Sequence, residues 1–260
     1  MKPTTRTRPR PPKSLNRLIE FKEIRAGDLG YSRSVSRRVY DGPAGAVLAL
    51  ASRVSLHEPL LGALLRRGTF DVSRFDHILD IGSGAGQILG HLLKKSHPSA
   101  TIVAADLSLQ MMRRARLRLR SPRPTFLSAD VTRLPFADGS FDCVTCGWVI
   151  EHLPDPRPGL GEIRRVLRPG GSLLLLATED TMAGALNSRT WKCRTYNRAE
   201  LRAACEESGL SWSRQFYLSP VHRFLKIGGI IVEAVRTEDL ADTDAVAASP
   251  VLMRHEALPR

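Results

Sequence analysis

No apolar run in this chain reaches the roughly 18 residues that a membrane-spanning helix requires; Ala44 to Ala51 is the longest candidate, and Arg53 stops it. Cysteine is scarce. Four in 260 residues (Cys143, Cys146, Cys193, Cys205) make no disulfide framework, so a reducing compartment is expected. Behind the charges of Met1-Lys2-Pro3-Thr4-Thr5-Arg6 there is no apolar core, so no secretory leader is expected. Pro3, Pro9, Pro11 and Pro12 also block the amphipathic helix of an organelle transit peptide. Acidic residues are outnumbered, 26 against 39 basic ones, for a net charge of +13. Lysine is rare, supplying 7 of those 39; the codon composition of a GC-rich genome could produce that skew by itself. What remains, 42% hydrophobic and 25% charged, is the composition of a globular protein long enough to bury a core without metal or disulfide. The expectation is a soluble cytoplasmic protein.

The basic excess is concentrated. Residues 1–40 hold 11 basic side chains against Glu20, Glu23 and Asp28, a net of +8, which leaves +5 for the other 220. Residues 1–13 have too few apolar groups to offset ordering entropy, and 1–40 reads as a basic, partly disordered extension. Such an extension suits an anionic membrane surface, with peripheral attachment as the consequence. Helices are expected over 44–56 and 58–67. From Phe75 the pattern alternates: apolar strand candidates at 77–81, 101–105, 125–129, 141–146 and 172–177, with helical segments 85–95, 109–120 and 158–168. Runs apolar on both faces predict a mostly parallel sheet covered by helices on both sides. Asn197 reads as the N-cap of a helix ending at Ser208, with Gly209 as its C′ residue. Strands at 211–218 and 229–235, joined through Pro220 by a loop without a helix, are predicted antiparallel. A domain over 41–236, with its ligand-binding core at 75–178, and a flexible tail at 237–260 complete the reading.

The strongest chemical signal is Leu79-Asp80-Ile81-Gly82-Ser83-Gly84-Ala85-Gly86. Glycines at alternate positions let the backbone turn tightly and approach a ligand without Cβ obstruction, and the next helix offers its first N–H groups. Asp106 ends the second strand and can accept both hydroxyls of a ribose; Asp130 follows the third and can receive an adenine amino group. Two acids behind a glycine turn fall on the sheet edge where open α/β folds bind ligands, and point to a nucleoside cofactor.

Over 79–177 the chain resembles the class I S-adenosylmethionine-dependent methyltransferases, most closely the small-molecule branch that includes the quinone C-methyltransferases. The resemblance rests on the glycine turn (79–86), Ala-Asp-Leu-Ser (105–108), Leu-Pro-Phe-Ala-Asp-Gly-Ser-Phe-Asp (134–142), Glu-His-Leu-Pro-Asp-Pro (151–156) and Glu-Ile-Arg-Arg-Val-Leu-Arg-Pro-Gly-Gly (162–171). It implies a Rossmann-like seven-stranded α/β sheet with an antiparallel last strand. It also implies a cofactor, S-adenosylmethionine, that leaves as S-adenosylhomocysteine. Asp80, Gly82, Ser83, Gly84 and Gly86 would hold the methionine part, Asp106 the ribose and Leu107 the adenine face. Asp130 and Val131 would bind the adenine edge, and Cys146 and Gly147 would line the sulfonium end. Where this chain has Val149-Ile150-Glu151-His152, the quinone branch carries an Arg-Asn pair.

A sulfonium is an activated methyl donor, so in-line transfer needs alignment and exclusion of water, and a base for some acceptors. His152, after the fourth strand, is the base candidate or an orienting group for its loop. Tyr40, Trp148, Trp191 and Tyr196 are candidate acceptor-pocket residues. Cys143 and Cys146 point to opposite faces of a strand, so no metal site is expected. The arginines at 113, 114, 116, 118, 120 and 123 lie on and after one helix, spread around its surface, and read as a solvated face. The expected reaction is methyl transfer to a small organic acceptor, hydrophobic or lipid-like. The alternatives are a nucleic-acid methyltransferase and a non-catalytic cofactor-binding assembly factor. Nucleic acid is not expected as the partner, because the fourth strand is followed neither by an Asn-Pro-Pro-Tyr type of segment nor by a Pro-Cys nucleophile.

Overall fold

A computed structural model describes residues 57–66, 69–191, 193–225 and 228–237. The expected extension 1–40, the helix at 44–56 and the tail 238–260 lie outside these residues. In chain order the elements are α1 (His57–Leu64), β1 (His77–Ile81), α2 (Gln87–Lys95), β2 (Thr101–Asp106), α3 (Leu109–Leu119) and β3 (Pro124–Ser128). They continue with β4 (Phe141–Gly147), α4 (Arg157–Val166), β5 (Leu167–Ala177), α5 (Met182–Trp191), α6 (Arg198–Glu207), β6 (Leu210–Phe216), α7 (Pro220–Leu225) and β7 (Ile230–Arg236). The seven strands form one sheet in the order β3-β2-β1-β4-β5-β7-β6. β1 to β5 pair in parallel, and β7 runs antiparallel to both its neighbours.

Strand alternation divides the core in two. Leu79, Val144, Cys146, Leu173 and Leu175 face α4 and α6 through Leu160, Ile163, Leu201 and Ala204. Ile78, Cys143, Leu174 and Leu176 face α1, α2 and α3 through Leu61, Leu64, Ile88, Leu89, Leu92 and Met112. Cys143 and Cys146 therefore lie in different layers, both free and buried. Helix ends follow their local chemistry. Ser108 caps α3 by accepting from the Met111 N–H, Asn197 caps α6 by accepting from the Glu200 N–H, and Gly209 follows α6 at φ +73°.

The β6–β7 connection departs from expectation. It contains α7, which begins at Pro220: a proline at the first helical position gives up an N–H that would have no helical partner, so it starts this helix instead of breaking the chain. The strands are antiparallel all the same. The arginines on and after α3 are also less uniform than a solvated face. Arg123 donates to the carbonyls of Leu93, His97 and Ala100 and to Ser96 Oγ, closing the end of α2, and Arg118 donates to the Ala85 carbonyl.

The motifs at 134–142 and 162–171 form one hydrogen-bonded unit. Arg165 donates to the carbonyls of Leu134 and Phe136 and pairs with Glu162 and Asp138, while Glu162 accepts from the Leu134 N–H. The Arg165 hydrogen bond holds the Glu162 carboxyl below the usual range. These residues brace the loop entering β4.

Candidate cofactor and acceptor site

The strand order reverses between β1 and β4, where chain connections leave in opposite directions and open a crevice at the strands' C-terminal ends. The glycine turn fills its floor. Gly82, Gly84 and Gly86 have φ of +69°, +52° and +85°. At Gly82 a Cβ would lie 2.1 Å from Val149 Cγ2, so glycine is required both by conformation and by the close approach of the β4 loop. The N–H groups of Gly82 and Ser83 both reach the Ala105 carbonyl, at 2.8 and 3.1 Å, which ties the turn to the end of β2. Ser83 Oγ donates to the Asp80 carbonyl at 2.8 Å. Gly86 precedes α2 without any side-chain cap, so the first helical N–H groups face the crevice end of the helix.

Asp80 and Thr145 are register partners on β1 and β4, across the reversal point. Thr145 Oγ1 donates to Asp80 Oδ1 at 2.6 Å. Asp80 is fully buried, and its Oδ2 has no hydrogen-bond partner among the described residues. Burial raises its pKa to about 6, against the lowering hydrogen bonds from Thr145 and Ser83; the Asp106 charge adds to the rise. A buried carboxylate oxygen without a partner fits a cationic ligand group, and the ammonium of S-adenosylmethionine is one.

Asp106 Oδ2 accepts from the Gly84 N–H at 2.9 Å and Oδ1 from the Ser108 N–H at 2.8 Å. The acid expected to hold a ribose thus also fixes the glycine turn, since each carboxylate oxygen can accept more than one hydrogen bond. Asp130 Oδ1 accepts from both the N–H and the hydroxyl of Thr132, forming the turn after β3. The Val131 side chain turns inward against Leu153 and Gly159. Leu107 is half-buried between Asp106 and Ser108. Cys146 is buried in the core and burial raises its thiol pKa, so it stays protonated; Gly147, the last residue of β4, is buried next to Gly82.

Beyond Gly147 the chain turns sharply. Trp148 has φ +54°, a conformation costly for a bulky residue, and its N–H donates to the Leu176 carbonyl. His152 ends the 3-10 turn Ile150–His152 and is half-buried; burial lowers its pKa to about 4, so it is neutral at physiological pH. Tyr196 is fully buried: its hydroxyl donates to the Ile150 carbonyl and its ring sits beneath the Arg194 guanidinium. In this position it supports the 150–152 turn from below and exposes no surface to a ligand. Trp191 is the last residue of α5, and Tyr40 lies outside the described residues.

Two groups went unnoticed in the sequence. Thr145 is one. The other is Glu151, 2% exposed, which accepts from Thr178 Oγ1 at 2.5 Å and from the Thr178 N–H at 3.2 Å. Burial raises its pKa to about 7, against the Thr178 and Cys193 hydrogen bonds that lower it. The Glu151 carbonyl accepts from the Arg194 N–H, so one residue joins the end of β5 to the segment 193–196 that follows α5.

No helix among the described residues is long and apolar enough to cross a membrane, and among them no cluster of side chains could hold a metal ion.

A protein-family model described as a methyltransferase domain matches residues 79–175. A demethylmenaquinone methyltransferase of Thermus thermophilus is 40% identical over 110 residues, 42% of this chain and 50% of the relative. A ubiquinone/menaquinone biosynthesis C-methyltransferase of Desulfotalea psychrophila is 35% identical over 101 residues, 39% of this chain and 41% of the relative. An uncharacterised 37.1 kDa protein of a Streptomyces fradiae transposon is 42% identical over 98 residues, 37% of this chain and 28% of the relative. The chain thus spans half or less of the length of these relatives. Among solved structures, the magnesium protoporphyrin IX methyltransferase of Synechocystis with bound S-adenosylhomocysteine superposes at a TM-score of 0.62. Its identity is 18%, and the match covers 79% of this chain and all of that one. A Haloferax volcanii methyltransferase complex with the Trm112 activator gives 0.65 at 22% identity, over 78% of this chain and 98% of that one. At these identities the structures speak to the fold, and the sequence match to the domain. Residues 79–175 match a methyltransferase domain, carried on the Rossmann-like sheet that these solved methyltransferases share.

Proposed function

We propose that this protein transfers a methyl group from S-adenosylmethionine to a small, apolar organic acceptor. One observation carries the reading: the buried Asp80 oxygen without a partner, held at the reversal point beside a turn that can only be glycine. Asp80 would face the cofactor's ammonium, Asp106 its ribose hydroxyls, and Asp130 with the Val131 backbone its adenine. When bound, the cofactor supplies the activated methyl group on sulfur. The chain's own task is alignment: the backbone of Cys146 and Gly147 would border the sulfonium end, and the turn 148–152 would border the acceptor. His152 is neutral at physiological pH and can take a proton from an acceptor hydroxyl such as that of a phenol or hydroquinone, although burial makes it a weak base. The relatives named for demethylmenaquinone and ubiquinone/menaquinone support that acceptor class. The replacement of the quinone branch's Arg-Asn pair by Val149-Ile150-Glu151-His152 separates this chain from them in the acceptor-facing loop. A cytoplasmic, membrane-peripheral location fits, with the net +8 of residues 1–40 drawn to anionic lipid.

The test is incubation of the full chain with methyl-labelled S-adenosylmethionine and a panel of hydroquinones and phenols, followed by organic extraction. Label entering the organic phase with at least one apolar acceptor is the expected result. Label transferred only to RNA or protein would overturn the reading.

A further inference from the structure

The described residues expose seven large apolar side chains, and five of them sit where the chain leaves one edge of the sheet. Met182 begins α5, Tyr217 follows β6, and Val221, Phe224 and Leu225 lie on α7. β6 runs in the direction of β5, because both are antiparallel to β7. Its end at Phe216 and the start of β7 at Ile230 therefore lie at the C-terminal edge, the edge that carries the glycine turn, Asp106 and the 148–152 turn.

A surface helix normally turns its apolar stripe inward. Here Val221, Phe224 and Leu225, at i, i+3 and i+4, are 59%, 85% and 55% exposed, and α7 buries none of its residues. The stripe is held outward by the opposite side of the connection. Leu218 packs into the core, Ser219 Oγ and His222 Nδ1 lie 2.7 Å apart, and Gly228 admits the His222 ring where a Cβ would stand 2.9 Å away. Tyr217 is fixed through its hydroxyl by Arg198 and Gln215. The sequence from 217 to 229 contains His222, Arg223 and Lys226 and no acidic residue. An apolar stripe with aromatic and basic neighbours matches the chemistry of an anionic bilayer surface, whose headgroups attract the cations while its acyl boundary takes the apolar tips.

We propose that α7 is a membrane-contact knuckle: Val221, Phe224 and Leu225 enter the headgroup boundary of an anionic bilayer and seat the cofactor edge of the sheet on it. The proposal deepens the reading above and rests on its apolar acceptor, which such a bilayer would contain. It differs from attachment by the basic N-terminal region because it assigns the contact to an element at the same edge of the sheet as the site.

The test is co-sedimentation of the full chain with vesicles of phosphatidylcholine containing about 30% phosphatidylserine, and with phosphatidylcholine alone, at low and high salt. The protein should partition to the anionic vesicles, and Phe224→Glu with Leu225→Glu should weaken partition at least about tenfold while leaving S-adenosylmethionine affinity unchanged. Both sites are exposed, so the fold should be retained, checked by circular dichroism. Absence of vesicle binding by the parent protein overturns the proposal. So does equal binding by the double variant, which would leave the N-terminal region as the anchor. A variant that turns a dimer into a monomer without changing partition would make this face a contact between copies and overturn it as well. Vesicle partition reads no methyl transfer, so failure here and failure of the proposed activity are distinguishable.

Discussion

Replacing Glu151 by Gln should abolish a loss of stability that the parent protein suffers as pH rises. The carboxyl is 2% exposed and receives two hydrogen bonds from Thr178, yet burial outweighs them and raises its pKa from 4.5 to about 7. Cys193 on the following segment and Cys146 on β4 face it; burial keeps both thiols protonated, so neither adds a second negative charge. An acid whose pKa is raised on folding holds its proton more firmly in the folded state. Its contribution is therefore largest below 4.5 and is lost as pH rises from 4.5 to 7. A difference of about 2.5 units is about 3 kcal/mol, most of which falls between pH 5 and 8. Gln keeps the shape and an acceptor for Thr178 but does not titrate. Urea unfolding of both proteins at pH 5, 6, 7 and 8 should show the Gln variant gaining on the parent by about 2–3 kcal/mol across that range. Comparing the two proteins cancels other titrating groups, including Asp80 and Glu162. A difference that does not change with pH, or one that moves the other way, would refute the assignment of a buried, proton-retaining carboxyl.

Three further outcomes follow from the site. Gly82→Ala should cost at least about 2 kcal/mol, from the left-handed backbone and the 2.1 Å approach of Val149, and should abolish cofactor binding; urea midpoints and calorimetry check it. S-adenosylmethionine should bind more tightly as pH rises through about 6, because ionised Asp80 favours the ammonium; Asp80→Asn should flatten that profile in a calorimetric titration from pH 5 to 8. Trp148→Gly should be more stable than Trp148→Ala by about 1 kcal/mol, since only glycine accepts φ +54° without cost; equal unfolding midpoints by circular dichroism would contradict the strain.

Local signals carried much of this architecture. The alternation of short apolar runs with helical segments set the parallel sheet, and the strand-end positions of Gly82, Gly84, Gly86, Asp106 and Asp130 put them on one edge of it, because turn and strand-end chemistry reside in neighbouring residues. What escaped notice depends on partners far apart in sequence. Thr145 is an ordinary hydroxyl in an apolar strand until register sets it against Asp80. Glu151 looks like a surface carboxylate until the end of β5 brings Thr178 to it. Tyr196 shows the reverse: an aromatic expected in the acceptor pocket is drawn into the core because its hydroxyl finds the Ile150 carbonyl. Pro220 reads as a loop residue, yet the same missing N–H lets it begin α7.

Asp106 holds the Gly84 and Ser108 N–H groups, and the proposed cofactor cradle would use the same carboxylate for a ribose. Calorimetric titration of the full chain with S-adenosylmethionine tests it most directly, beside Asp106→Ala. The parent protein should bind with affinity on the order of micromolar, weakened at least about tenfold, or about 1.4 kcal/mol, in the variant. No binding by the parent protein, or equal binding by both, would contradict it.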